Sequence, residues 1–192
     1  AGKSTLLKIL SGAQSPDAGS IELNGETVVL VSPQVAQAKG IVTIYQEFTL
    51  APDMTIAENV FIGREPGSKL FISRKQLEEQ TRVLTNRIGL ERNPRALVRD
   101  LSVAEQQMVE IARALSMKSQ LIVMDEPTAS LSASESERLF AIVRDLSASG
   151  MSVLYVSHRL GEILELCDRV TVFRDGRSVE QFARRDLTRQ RL

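Results

Sequence analysis

The sequence predicts an α/β domain with a mostly parallel sheet, a small antiparallel β piece and an inserted helical segment. Three short apolar runs, at residues 40–45, 120–125 and 152–157, are typical of strands buried on both faces of a parallel sheet. Amphipathic helical patterns lie between them, and this alternation favours parallel pairing. A chain of 192 residues is long enough for one domain with its own core.

The remaining elements follow from local patterns along the chain. Asn24-Gly25 lies between β-type runs in residues 20–30, a strong hairpin signal that predicts the antiparallel piece. Residues 56–119 carry helical patterns and no convincing strand, and so predict the helical insertion. A fourth β-rich run covers 170–176. Helices are predicted over 6–10, 74–88, 103–115, 135–146 and 160–166.

The charge balance, the apolar runs and the cysteine count of the sequence limit which classes of protein it can belong to. Lys plus Arg and Asp plus Glu number 24 each, so net charge gives no attraction to nucleic acid or an anionic membrane. No apolar run approaches the roughly 18 residues of a membrane-spanning helix. The single cysteine, Cys167, excludes an internal disulfide, fits a reducing cytosol and is expected to be a small buried hydrophobe.

Polar residues follow each of the three predicted strands: Gln46 after the first, Asp125-Glu126 after the second and Ser157-His158 after the third. Ligands bind at the carboxyl ends of parallel strands, so these side chains are expected to meet at one edge. Asp125 suits a Mg²⁺ contact, and Glu126, pointing the other way in an extended chain, suits a general base. A neutral His158 could hydrogen-bond a phosphate or hold water. The alternatives are an acidic turn and polar groups satisfied locally.

The first residues, AGKST, match the second half of a phosphate-binding loop at a helix start. In that interpretation backbone N–H groups meet phosphate oxygens, Lys3 reaches the β- and γ-phosphates, and the Ser4 hydroxyl binds Mg²⁺. A turn followed by a serine cap is the alternative. Because the first half of the loop motif does not precede Ala1, we expect the chain to be an N-terminally truncated fragment.

Ser102 begins a predicted helix, and Glu105 completes a capping box, which is a sufficient structural explanation for both residues. An exposed serine at a helix start is also a possible second phosphate site. The large sequence separation from Lys3 suggests that such a site would serve a different nucleotide.

Taken in order, these motifs resemble the ATP-binding cassette family of P-loop NTPases. The matching segments are a Walker A remnant (1–5), Q-loop (45–47), signature (101–105), Walker B (121–127), D-loop (130–133) and switch (157–159). The resemblance implies one nucleotide-binding domain over residues 1–192, with a helical subdomain at 56–119. Two such cassettes would hold ATP between them.

The resemblance also implies roles for individual residues. Glu126 would activate water, and His158 would stabilise the γ-phosphate. Mg²⁺ would be held by Ser4, Gln46 and Asp125. Residues implied to contact ATP are Ala1, Gly2, Lys3, Ser4, Thr5, Gln46 and Ser102, the last toward ATP of the opposite cassette. One departure stands out, since Val103-Ala104 replaces the two glycines of the usual LSGGQ signature and would hinder close backbone approach to a phosphate.

Finer similarity is to the first half of tandem ATPases of monosaccharide importers (ribose, galactose, xylose and arabinose class). It implies ATP hydrolysis at the cytoplasmic face of the inner membrane. The implied partners are a second cassette, permease subunits and, indirectly, a sugar-binding protein, with no nucleic acid. Two alternatives stay open: a soluble cassette ATPase acting on ribosomes or DNA, and a module that binds ATP without hydrolysing it.

Overall fold

A computed structural model describes residues 2–67 and 73–186. Its strands are β1 (Ile21–Leu23), β2 (Glu26–Val28), β3 (Ile41–Ile44), β4 (Leu121–Asp125), β5 (Ser152–Val156), β6 (Arg169–Arg174) and β7 (Arg177–Ala183). Its helices are α1 (Lys3–Leu10), α2 (Pro33–Ala38), α3 (Ile56–Phe61), α4 (Arg74–Arg87), α5 (Val103–Ser116), α6 (Ala133–Ala148) and α7 (Leu160–Leu166). Two 3-10 helices cover Val98–Asp100 and Arg184–Asp186.

Strands β3, β4 and β5 form a parallel sheet in that order, which confirms the predicted α/β class and parallel core. Met124 of β4 pairs with Ile44 of β3 and with Tyr155 of β5, so the three carboxyl ends lie at one edge. The middle of β4 is fully buried. The expectation that β5 is buried on both faces was wrong, because β5 packs against α6 and is only half-buried, whereas α2 and α5 both pack on the mostly buried β3.

Two antiparallel hairpins accompany the parallel sheet. Strands β1 and β2 are joined by Asn24 and Gly25, both with positive φ (54° and 81°), as the Asn-Gly signal predicted. Strands β6 and β7 are joined by Asp175 and Gly176, again with positive φ. The sequence prediction included β6 but missed β7, although Asp-Gly carries the same turn signal.

The described part of residues 56–119 holds α3, α4, α5 and a 3-10 helix, and no strand. Helix α3 packs against α4 and α5, and fully buried side chains such as Val60 and Ile111 share a core with Ile44 and Ile122 of the sheet. Asn59 is 1% exposed and hydrogen-bonds the backbone of Ala51, Met54 and Thr55, which fixes the loop before α3. The helical segment is therefore packed directly onto the sheet.

Two expectations from composition can be compared with the fold. No helix within residues 2–67 and 73–186 has both the length and the apolar content needed to cross a bilayer. Cys167, at the end of α7, is half-buried rather than fully buried. Burial raises the pKa of its thiol, so the group stays protonated at neutral pH.

Candidate functional site

Glu126 and His158 meet at the carboxyl edge of the parallel sheet. Glu126 follows β4 and His158 lies two residues beyond β5, and Nδ1 of His158 is 3.1 Å from Oε1 of Glu126. The backbone N–H of Glu126 also donates to the carbonyl of Val156 at 2.9 Å. The Glu126 side chain is 26% exposed and the His158 side chain is 62% exposed, so water can reach both. The structure thus brings together the two predicted catalytic residues.

The backbone of Glu126 is left-handed, with φ 46°, rather than extended as the sequence argument assumed. The argument that Glu126 points away from Asp125 by strand alternation was therefore wrong, because the strand ends at Asp125 and the chain turns there. A left-handed residue other than glycine costs about 1–3 kcal/mol and is common at functional sites. The turn places the Glu126 carboxylate against His158.

Asp125 is the last residue of β4, and its surroundings disfavour ionisation of its carboxyl group. Burial, and to a smaller extent the neighbouring Glu126 carboxylate, raises the pKa of Asp125, while the positive charge of Lys3 lowers it. Lys3 therefore lies close enough to act on this edge. Within the two described ranges no group of three or more His, Cys, Asp or Glu side chains could hold a metal. One carboxylate fits Mg²⁺, which usually takes one or two together with phosphate oxygens and water.

The start of α1 is an open helix N-terminus. Gly2 is its N-cap, has φ 98° and gives no side-chain cap, and the first helical hydrogen bond runs from the Leu6 N–H to the Gly2 carbonyl. The first-turn N–H groups, including those of the exposed Ser4 and Thr5, are thus available to an anion. Ala1 lies outside the described residues.

Gly2 also lies close to the hairpin of β6 and β7. A Cβ atom at this position would be 3.1 Å from Cα of Gly176 and 3.2 Å from a ring carbon of Phe173. Its positive φ adds a second restriction, so a larger residue here would displace the hairpin or the start of α1.

Gln46 and Ser102 are placed differently. Gln46 is exposed two residues after β3, and parallel pairing puts it at the same edge as Asp125. Ser102 is exposed at the start of α5, where its side chain accepts from the Glu105 N–H and its own N–H donates to Glu105 at 2.9 Å. This confirms the capping box. The Ser102 side chain is engaged with Glu105 of its own helix, so contact of Ser102 with ATP stays a prediction.

Two buried glutamates were missed by sequence reasoning. Glu110 of α5 is 3% exposed, and its carboxylate accepts from the Thr49 N–H at 2.9 Å and from Arg113 at 2.5 Å. Glu162 of α7 is 6% exposed. Each lies between apolar residues of an amphipathic helix, and a lone acidic residue in such a pattern is the signal that could have identified them.

Comparison with known protein sequences gives one matching family and several similar relatives. The family model described as ABC transporter matches residues 1–129. The ribose import ATP-binding protein RbsA 2 of Streptomyces coelicolor is 52% identical over 94% of this chain and 35% of its own length. A putative ribose/galactose/methyl galactoside import ATP-binding protein of Agrobacterium fabrum is 48% identical over 95% of the chain and 37% of its own. The chain thus spans about a third of the length of these relatives.

Solved structures give the same answer for the fold. An ATP-binding cassette of an ABC transporter in its ADP conformation has a TM-score of 0.84 and 26% identity, covering 96% of this chain and 77% of that one. A nucleotide-free cassette from an ABC transporter has a TM-score of 0.83 at 26% identity, covering 95% and 76%.

Proposed function

Because this chain belongs to the ABC transporter family, we propose that it is the ATP-binding and ATP-hydrolysing part of a monosaccharide importer. The observation that carries the proposal is the contact between Glu126 and His158 at the carboxyl edge of the sheet, beside Asp125 and within the field of Lys3. A carboxylate, an imidazole, an acidic metal ligand and a lysine at one edge are the groups that phosphoryl transfer to water requires.

The open start of α1 binds the phosphates in this proposal. The backbone N–H groups of Gly2, Lys3, Ser4 and Thr5, together with Ala1 of the same loop, face the phosphate oxygens, and the Lys3 ammonium neutralises the β- and γ-phosphates. Mg²⁺ would be held by the Ser4 hydroxyl, the Gln46 amide and the Asp125 carboxylate. When bound, the ion neutralises charge that develops on the phosphate oxygens.

Glu126 then acts as the general base. Its carboxylate takes a proton from a water molecule, whose oxygen attacks the γ-phosphorus as the bond to the bridging oxygen of ADP breaks, giving ADP and inorganic phosphate. With Nδ1–H donating to Glu126, the imidazolium form of His158 has a second N–H, on its other ring nitrogen, to donate to the γ-phosphate. The Glu126 side chain is partly exposed and that of His158 is exposed, which gives the water and the nucleotide access.

Removing the Asp125 charge should stabilise the protein while weakening its binding of MgATP. The pKa of Asp125 is raised in the folded state, so its ionised form costs stability at pH values above that pKa, and the uncharged amide of Asp125→Asn avoids this cost. We expect a melting temperature higher by about 2–4 °C for each kcal/mol gained, measured without metal or nucleotide.

The matched control for this prediction is Asp145→Asn, which removes an exposed carboxylate on α6. It should leave both the melting temperature and the Kd of MgATP unchanged. A lower melting temperature in Asp125→Asn would mean that attraction to Lys3 outweighs burial and repulsion by Glu126.

Two further parts of the proposal concern the helical subdomain, its contact with the second cassette and its link to the metal site. Residues 56–119 act as the helical subdomain, and Ser102 at its α5 helix start contacts ATP held by the opposite cassette. Gln46 links the metal site to this subdomain, because the chain runs from the sheet edge through Gln46 to Thr49, which contacts Glu110 of α5. Support for the link comes from this contact.

The importer itself is proposed from the relatives. Import of ribose, or of ribose and galactose, is named for proteins 48–52% identical to this chain. The chain would work at the cytoplasmic face of the inner membrane, docked on a permease that receives sugar from a binding protein. ATP-driven closing and opening of the two cassettes would move the permease.

Transport by the full-length protein tests this proposal. Reconstituted with a monosaccharide permease, it should drive uptake of one or more of labelled ribose, galactose, xylose and arabinose into vesicles only when MgATP is supplied on the cassette side. A Lys3→Met variant supplies the matched control without nucleotide binding. ATP hydrolysis with uptake of none of the four sugars would contradict the importer function.

A further inference from the structure

Glu162 of α7 is a buried carboxylate that gathers three hydroxyl groups. Its Oε1 accepts from Oγ1 of Thr128 at 2.6 Å, and its Oε2 accepts from the hydroxyl of Tyr155 at 3.0 Å and from Oγ of Ser157 at 2.7 Å. Glu162 is 6% exposed and Thr128 2% exposed. The Glu162 carboxylate is therefore largely shielded from solvent and well satisfied in its hydrogen bonds, while Tyr155 and Ser157 are half-buried.

The donors belong to the two segments that carry the reacting pair. Thr128 lies two residues beyond Glu126, and Ser157 directly precedes His158. Oγ of Ser157 also accepts from the backbone N–H of Arg159 at 2.9 Å, so the neighbours of His158 on both sides are held. One carboxylate thus fixes the chain near Glu126 and the chain around His158.

A carboxylate suits this task better than an apolar side chain of the same size. An ionised carboxylate only accepts hydrogen bonds, so all three hydroxyls must donate toward it, and their directions are set. Burial, with a smaller contribution from the Glu162 charge, raises the pKa of the Tyr155 phenol, which stays protonated and able to donate. Burying a charge costs free energy, and here the three hydroxyl donors and the Arg159 guanidinium, 3.5 Å from Oε1, offset part of that cost.

We propose that Glu162 is a positioning residue that keeps the side chains of Glu126 and His158 in the relative position needed for hydrolysis. This inference rests on the proposed ATPase function. Without Glu162, the segments keep the backbone hydrogen bond from Glu126 to Val156, but the side-chain links from Thr128, Tyr155 and Ser157 are lost. The catalytic groups would then move apart while the nucleotide-binding start of α1 is left intact.

The test uses Glu162→Ala and Glu162→Gln in the full-length protein. A misplacement of about 1 Å can cost 10²-fold in rate, so we expect kcat for ATP hydrolysis to fall about 10–100-fold in Glu162→Ala. The Kd of ATP should change less than about threefold, since the start of α1, which binds the nucleotide in this proposal, is unchanged. Glutamine can accept some of the same bonds and should restore part of kcat. Glu165→Gln, an exposed glutamate on the same helix paired with Arg144, is the matched control.

A second variant covers the case in which Glu162→Ala does not fold. Ser157→Ala removes a single hydroxyl beside His158, and Ser149→Ala removes a hydroxyl bonded to Leu146 at the end of α6. Only Ser157→Ala should lower kcat, with the Kd of ATP and the melting temperature close to those of Ser149→Ala. Equal kcat values in these two variants would overturn the positioning role.

Further outcomes separate this inference from the proposed function. If Glu126→Gln hydrolyses ATP normally, the proposed base fails, and the positioning role fails with it. If Glu126→Gln is inactive while Glu162→Ala keeps the wild-type kcat, only the positioning role is overturned. A parallel loss of kcat, ATP binding and melting temperature in Glu162→Ala, without recovery in Glu162→Gln, would show a structural role alone.

Discussion

Replacing Glu126 with glutamine should remove nearly all ATP hydrolysis by the full-length protein while leaving ATP binding intact. Glutamine has nearly the same size, and its amide can still hydrogen-bond Nδ1 of His158, which lies 3.1 Å from the carboxylate. It cannot take a proton from water, and loss of a general base costs about 10²–10⁴-fold in rate. Phosphate release gives kcat, and calorimetric titration gives the Kd of MgATP.

Glu137→Gln is the matched control, since Glu137 is an exposed glutamate on α6 away from the β4 edge. Its kcat and Kd should equal those of the wild type. Equal turnover in Glu126→Gln and wild type would contradict the role of Glu126. A joint loss of hydrolysis and ATP binding would instead make Glu126 a nucleotide ligand. A wild type that binds MgATP without turnover would favour the non-hydrolysing alternative.

Local patterns were sufficient to predict most of the fold and the family. The apolar runs gave β3 and β4, and the polar residues that follow them lie at one sheet edge because parallel pairing aligns their carboxyl ends. The Asn24-Gly25 turn was predicted from conformational preference alone. The ordered motifs indicated the cassette family, which the family model over residues 1–129 confirmed.

The features that sequence missed depend on contacts between distant segments. The half-buried state of β5 depends on which helices pack against it, which composition does not encode. The left-handed turn at Glu126 occurs where its N–H bonds the carbonyl of Val156, 30 positions along the chain, a contact that local patterns do not predict. The partners of Glu162 and Glu110 likewise lie in other elements, so periodicity marks these residues as unusual without naming what they bind.

Replacing Glu110 with alanine should produce the largest loss of stability of the substitutions considered. Oε1 of Glu110 accepts from the N–H and the hydroxyl of Thr49, at 2.9 and 3.0 Å, and Oε2 accepts from Arg113. Alanine would leave the Thr49 N–H and the Arg113 guanidinium, which is only 16% exposed, without their carboxylate. Breaking a buried pair in this way costs about 3–5 kcal/mol, a large part of the 5–15 kcal/mol typical of a domain.

The expected result is a fall in melting temperature of about 6–20 °C, since each kcal/mol corresponds to about 2–4 °C in a chain of this size. Glu79→Ala, an exposed glutamate on α4, should change stability by less than about 0.5 kcal/mol. The joint replacement of Glu110 and Arg113 by methionine should cost less than Glu110→Ala alone, because no unpaired charge is left buried. Thr49 lies three residues beyond Gln46, so Glu110→Ala should also loosen the Gln46 segment. An unchanged melting temperature in Glu110→Ala would mean that other contacts hold this segment to α5, and that Glu110 does not link the sheet edge to the helical segment.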